Sequence, residues 1–225
     1  MIGGWQGDEP LERPSQLPFE QRLQLDKVPE RMVESRPMAT EPKQRLTIQE
    51  YLTLERQSET KSDYFEGEMF AMTGASRPHN LIGLNIASAL HTQLAGSTCE
   101  VYVNDMRVRT PDDLLTYPDV VAVCGEPRFS DDEFDTLLNP TLIVEVLSKS
   151  TEVYDRLTKL EHYRTIPSLT EIVLVAQDRP RVEQWVRQGD GCWVVQDIQD
   201  LEAAIELPSI HCRLTLEAIY KRVFA

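Results

Sequence analysis

The stretch Thr141-Leu142-Ile143-Val144-Glu145-Val146-Leu147 decides the fold. Its β-branched and aliphatic side chains, in a run too short for an ordinary helix, read as a strand buried on both faces. Strands of that kind belong to sheets covered by helices on either side. Glu145 breaks the pattern, because a carboxylate in an apolar run costs free energy unless it is paired or holds a metal. Upstream, Tyr117-Pro118-Asp119-Val120-Val121-Ala122-Val123 reads as a second strand, opened by an acid. An acid at the start of one strand and another inside its neighbour can face the same space.

Working outward, the periodicity predicts a helix over Glu152–Thr165, stopped by Pro167, and then a buried strand over Glu171–Ala176. Arg181–Val186 and Cys192–Val195 flank a glycine-rich turn as a hairpin, and Leu214–Val223 reads as a closing helix. Towards the N-terminus, Thr47 and Glu50 form a capping box that opens a short helix through Leu54. Tyr64–Met72 reads as a hairpin about Glu66-Gly67. Ile82, Ile86, Leu90 and Leu94 form a helical stripe within Pro78–Leu94, with Gly96 as the stop. A third strand is expected over Glu100–Val108, and Cys124–Asn139 reads as an acidic, solvated loop. Together these elements predict an α/β fold, a mixed central sheet flanked by α-helices, in one domain spanning residues 38–225. Residues 1–37 hold five prolines and no sustained period, and read as a poorly ordered extension, with Met38 an alternative start of translation.

Composition narrows the function. Of 225 residues 41% are hydrophobic, and no apolar run approaches the roughly 18 residues that a membrane span requires. Cys99, Cys124, Cys192 and Cys212 never form a C-x-x-C pair, which predicts neither a zinc site nor a disulfide framework and suits a reducing cytoplasm. No nucleotide-binding glycine loop is present, and Ser148 and Ser150 lack the context of a hydrolase nucleophile. The net charge is −14, and residues 38–225 alone carry −12, with 18 basic against 30 acidic side chains. A protein that grips a polyanion usually spreads Lys and Arg along it, so this acidity weighs against a broad basic groove.

The chemistry therefore rests on a few residues. Asp119 and Glu145 offer the hard oxygen ligands that Mg²⁺ or Mn²⁺ prefers, and a cation there would acidify a bound water. The competing reading of Glu145 is a buried ion pair with Arg or Lys. Lys149 follows Glu145 by four residues. Lys159 belongs to a stripe with Asp155 and Tyr163 that lies on one helix face, either exposed or aimed at the acids. His79, just inside a helix start, suits phosphate or metal-bound water, or a helix cap. Arg107 and Arg109 share one strand face and suit either phosphates or the acidic loop at Asp131–Asp135.

The runs Tyr117-Pro118-Asp119-Val120, Pro140 to Ser148, and Ser150-Thr151 with Asp155, Lys159 and Tyr163 resemble the Uma-two family, restriction-endonuclease-like proteins of the PD-(D/E)XK nuclease superfamily. Asp63-Tyr64-Phe65-Glu66-Gly67-Glu68, His79 and Thr170 to Val175 match as well, so the resemblance covers about residues 45–222. It implies a Mg²⁺-dependent DNA endonuclease, commonly a homodimer. It makes Asp119 the acid of the "PD" element, Glu145 the acid of the "ExK" element, and Glu66 an auxiliary acid. The third position of the latter element is Leu147 rather than lysine, which leaves Lys159 as the substitute. That missing lysine and the acidity support the alternative, a catalytically idle dimeric binding module on the same fold.

Overall fold

The computed structural model describes residues 45–72, 74–149 and 151–224. The extension expected over 1–37 lies outside the described residues. Helix α1 (Ile48–Glu55) begins at the expected capping box: Thr47 accepts from the amide of Glu50, whose carboxylate accepts in return from the amide of Thr47. Strands β1 (Ser62–Phe65) and β2 (Glu68–Ala71) follow as a hairpin. Glu66 and Gly67 both have positive φ, the signature of a two-residue turn matched to strand twist. A side chain at Gly67 would put its Cβ 2.5 Å from that of Arg45, so glycine is required there.

Helix α2 (Arg77–Gln93) buries Ile82, Ile86 and Leu90, the expected stripe. The single strand expected over 100–108 is two: β3 (Cys99–Val103) and β4 (Arg107–Arg109), divided at Asn104, which adopts positive φ. Beyond β5 (Leu115–Thr116) come β6 (Val120–Cys124), a short β7 (Thr136–Leu137) inside the acidic loop, and β8 (Leu142–Leu147). The helical segment α3 (residues 152–163) is α-helical at both ends and π-helical over Asp155–Lys159. It leads to β9 (Glu171–Ala176), β10 (Val182–Arg187) and β11 (Trp193–Ile198). The expected closing helix is a correction: Ala204–Leu207 and Cys212–Thr215 form a hairpin, β12 and β13, and only Leu216–Ile219, α4, is helical. The Leu214, Leu216 and Ile219 side chains are buried in either arrangement, so apolar spacing alone did not separate strand from helix.

The main sheet runs β11-β10-β9-β8-β6-β3, with β8 and β9 parallel and the other pairs antiparallel. A second, five-stranded sheet runs β2-β1-β5-β4-β7. All six residues of β8 are buried. Leu142, Val144 and Val146 join a core with α2, the closing hairpin and α4, while Ile143 and Leu147 join another with Tyr163, Leu160 and Ile172 on the opposite face. Burial of each such aliphatic side chain is worth roughly 1.5–3 kcal/mol. The parallel β8–β9 pair needs a crossover, and α3 supplies it, which sets α3 over the face that carries Glu145.

The cysteines require a second correction. Cys99 and Cys124 stand opposite each other in the β3–β6 register and form a disulfide, with Cα atoms 4.0 Å apart. Their separation of 25 residues hid this, because strand register rather than sequence spacing brings them together.

Candidate functional site

The β6–β8 register pairs Val120 with Val144, so one step further Asp119 faces Glu145 across the ladder. The Asp119 Oδ2 accepts the backbone N–H of Val146 at 2.7 Å, which anchors it beside its neighbour. Glu145 is only 3% exposed. Its Oε1 accepts from the Tyr163 hydroxyl at 2.6 Å and from Lys159 Nζ at 3.2 Å, while Lys159 also meets Asp155 Oδ1 at 3.3 Å. The stripe Asp155–Lys159–Tyr163 is thus buried against the sheet rather than solvated. The π-helical turn lies on this stretch, a feature that recurs at functional sites.

Lys159 reaches Glu145 from the helix, whereas Leu147, at the third position of the strand element, points into the core. Lys149 is exposed on the turn after β8. The cap of α2 is Ser76, which accepts from the amide of His79. The His79 ring instead sits with Nε2 3.2 Å from Asp119 Oδ2. Glu66 is not brought to this cluster: it is exposed at the tip of the β1–β2 turn. The acid that the hairpin contributes is Asp63, 5% exposed, whose strongest favourable charge is the Lys159 ammonium. Sequence reasoning missed it, since an acid near a strand start beside Ser62 reads as a turn residue.

The electrostatics are lopsided. Four carboxylates, Asp63, Asp119, Glu145 and Asp155, surround one ammonium and one imidazole. Burial pushes Glu145 up to about 8, and the charges of Asp155 and Asp119 add to the push against the pull of Lys159. Burial opposes the charge of Lys159, yet Glu145, Asp63, Asp155 and Asp119 outweigh it and hold the amine well above the usual lysine range. Burial also opposes a charge on His79, but its bond to Asp119 wins and raises the ring above its ordinary value. Asp119 and His79 have side chains 16% and 17% exposed, against 4% for Glu145 and 6% for Lys159, so they form the lip of the site and the others its floor.

This donor set fits a hard divalent cation. Two facing carboxylates suffice for Mg²⁺, which keeps several waters and is commonly held by one or two acids. Among the described residues no three His, Cys, Asp or Glu side chains converge into an all-protein cage, so Asp119 and Glu145 would be the ligands and solvent would complete the shell. An excess of negative charge over positive is what such an ion relieves.

Comparisons with known proteins agree with this architecture. The model of the Uma2 (Uma-two) family, described as "Putative restriction endonuclease", matches residues 48–218. The chain is 37% identical over 162 residues to "Uncharacterized protein sll1609" of Synechocystis sp. (strain ATCC 27184 / PCC 6803 / Kazusa), covering 72% of this chain and 92% of the relative. It is 32% identical over 191 residues to "Uncharacterized protein slr1290" of the same organism, covering 84% and 98%. Among solved structures, "a putative nuclease belonging to DUF820" from Anabaena variabilis ATCC 29413 superposes with a TM-score of 0.61 at 18% identity, over 79% of this chain and 99% of that one. At that identity the likeness speaks for the fold. Among the described residues no helix is long and apolar enough to cross a membrane.

Proposed function

The chain belongs to the Uma2 family, and from that premise we propose that it is a metal-dependent endonuclease that hydrolyses phosphodiester bonds of DNA with Mg²⁺ or Mn²⁺. The observation that carries this reading is the facing pair Asp119 and Glu145, with Lys159 Nζ 3.2 Å from Glu145. A bound divalent ion would lower the pKa of a ligated water and stabilise charge on the phosphate. The chain's own residues prepare the place. Val146 N–H fixes Asp119, the Tyr163 hydroxyl fixes Glu145, and Asp155 holds Lys159 from behind. The buried ammonium keeps its proton and presents a fixed positive charge to the phosphate as negative charge develops there. His79, braced by Asp119 at the lip, is placed to meet a phosphate oxygen. We take it to act as a homodimer.

A second reading, an idle dimeric module that keeps the fold, is favoured by one observation. Arg56, Arg107, Arg109, Arg156, Arg179, Arg181 and Arg213 are each already ion-paired within the chain, which withdraws them from a phosphate backbone. Yet a buried carboxylate is a costly thing to retain without a use, because apolar replacement of a buried ion pair is often neutral or stabilising. Incubation of supercoiled plasmid with the protein and Mg²⁺ or Mn²⁺ separates the two. Nicking or linearisation removed by EDTA, Asp119→Ala and Glu145→Ala supports the enzyme. Intact plasmid with every metal supports the idle module.

A further inference from the structure

We propose that β3, an edge of the main sheet, is the seat of a two-fold interface with a second copy of this chain, joining the two sheets about Val101. Such an interface goes beyond the nuclease reading and does not depend on it. Strand β3 pairs on one side only, with β6. The Asn104 N–H donates to the Asp119 carbonyl, and the Gly125 N–H to that of Thr98, which fixes the phase of the ladder. Glu100 and Tyr102 therefore bond to β6, and the backbone groups of Cys99, Val101 and Val103 point outward. Two of those groups are satisfied locally, the Cys99 N–H by Ser97 Oγ and the Val103 carbonyl by the Asp105 N–H. Among the described residues, the Cys99 carbonyl, both groups of Val101 and the Val103 N–H have no partner within the chain. That remainder is self-complementary. In an antiparallel pairing of two β3 strands about Val101, Val101 of each copy donates to and accepts from Val101 of the other. The Val103 N–H of each copy meets the Cys99 carbonyl of the other. The groups left facing one another are the Cys99 N–H and the Val103 carbonyl, which the chain has already satisfied.

The side chains select the same occupant. Charged residues make up 27% of the chain, yet between Arg77 and Glu100 there is no Asp, Glu, Lys or Arg, a stretch that takes in nearly all of α2. A chain of net charge −14 repels its own copies, and an uncharged face is where two of them can approach. The groove between α2 and β3 is lined by Leu84, Ala87, Ser88, His91, Val101 and Val103, with Leu84 64% and Val103 44% exposed. Glu100 falls opposite Tyr102 of the other copy rather than opposite its own counterpart, so the ladder sets no like charges face to face. Edge strands that stay single usually carry lysine, proline or a bulge, and β3 has none of these. The opposite edge, β11, bears Asp197 and is flanked by Asp190, Asp200 and Glu202, so self-pairing there would gather acids.

The test is the mass of the full chain in solution by sedimentation equilibrium without metal, which reads neither cation binding nor cleavage. At about 10 µM the wild type should have twice the 25.8 kDa mass of one chain. Leu84→Glu and Val103→Lys set charges in the apolar groove, and each should raise the dissociation constant at least about 10-fold while circular dichroism stays native. Val195→Lys, on β11, should leave the dimer as it is. Residue-resolved amide exchange reads the register. The Val101 and Val103 N–H groups should exchange at least about 10-fold faster in Leu84→Glu than in the wild type, whereas those of Glu100 and Tyr102, bonded to β6, should change little. A wild type that is monomeric at that concentration would overturn the proposal. So would a dimer indifferent to both groove substitutions, one broken by Val195→Lys, or one whose Val101 and Val103 amides exchange freely. Should Leu84→Glu not fold, Val103→Lys gives the same outcomes in both measurements.

Discussion

Two buried charge clusters lie in this molecule, and they are built on opposite principles. In the first, Arg107 is 2% exposed and is held by Asp135 at 2.8 Å, Thr136 at 2.9 Å and the Tyr117 hydroxyl at 2.8 Å. Arg56 joins it through Asp135 and Asp131, and Tyr117 passes the chain on to Glu55. The hydrogen bond from Arg56 holds Asp135 well below the usual carboxylate range, as does the charge of Arg107, against the effect of burial. In the second cluster four carboxylates share Lys159 and His79, and Glu145 is pushed up to about 8. One cluster is nearly charge-matched and braces α1, β4 and the acidic loop. The other is short of positive charge, which suits the divalent cation that we propose it binds. The downward shift of the first cluster fits a brace, and the upward shift of Glu145 beside further acids makes the second the candidate for chemistry.

The sharpest way to break this contrast is to remove a member of each cluster. Glu145→Gln and Asp119→Asn should lower plasmid cleavage by about 10⁴-fold, or roughly 5 kcal/mol in the barrier, with little loss of fold by circular dichroism. A fall in cleavage that merely tracks unfolding would reduce the second cluster to another brace. Arg107→Met should do the reverse. Removing the buried guanidinium leaves half-buried Asp135 with Arg56 alone and takes a donor from the Tyr117 hydroxyl, at an expected cost of about 1.5–3 kcal/mol and a melting-temperature drop of roughly 5–10 °C, with metal affinity by calorimetry unchanged.

The pH dependence of stability sharpens the contrast further. A carboxyl raised in the folded state gives stability that is present at low pH and lost as pH rises, here between about 4.5 and 8 for Glu145. The metal-free protein should therefore lose up to a few kcal/mol over that window, by denaturant titration, and Glu145→Gln should flatten the curve. Asp135 has the opposite sign: its contribution is present above the ordinary Asp pKa of 3.8 and disappears only as pH falls below it. A curve that rises from pH 5 to 8 would contradict the assignment of Glu145. The smallest expected effect concerns DNA. With seven of its arginines paired within the chain, the protein should show a shallow salt dependence of binding by fluorescence anisotropy, a log–log slope of about −3 or less steep. A slope near −8 would reveal a basic groove that the ion pairs conceal.

Much of the site was legible in the sequence because its residues violate a pattern. Glu145 interrupts an apolar strand, and Lys159 and Tyr163 fall in step with Asp155 on one helix face, although that spacing left open whether the face was exposed or aimed at the acids. The π-helical turn was not legible, since it hardly disturbs a spacing of four. Asp63 broke no pattern: four residues of a hairpin, polar at one end, look solvated until β1 is built into the second sheet between β2 and β5. Glu66 attracted attention through the turn beside it, and that turn is what keeps it exposed. The Cys99–Cys124 disulfide and the closing hairpin depend on which strands become neighbours, which no local signal specifies.

The most direct test is thermal melting of the wild type, Asp119→Asn and Glu145→Gln with and without Mg²⁺. If the second cluster is a cation site, Mg²⁺ at about 100 times its Kd should stabilise the wild type by roughly 2.7 kcal/mol, some 5–10 °C, and leave both variants unmoved. A wild type indifferent to Mg²⁺ and Mn²⁺, or variants that keep the full rise, would contradict it.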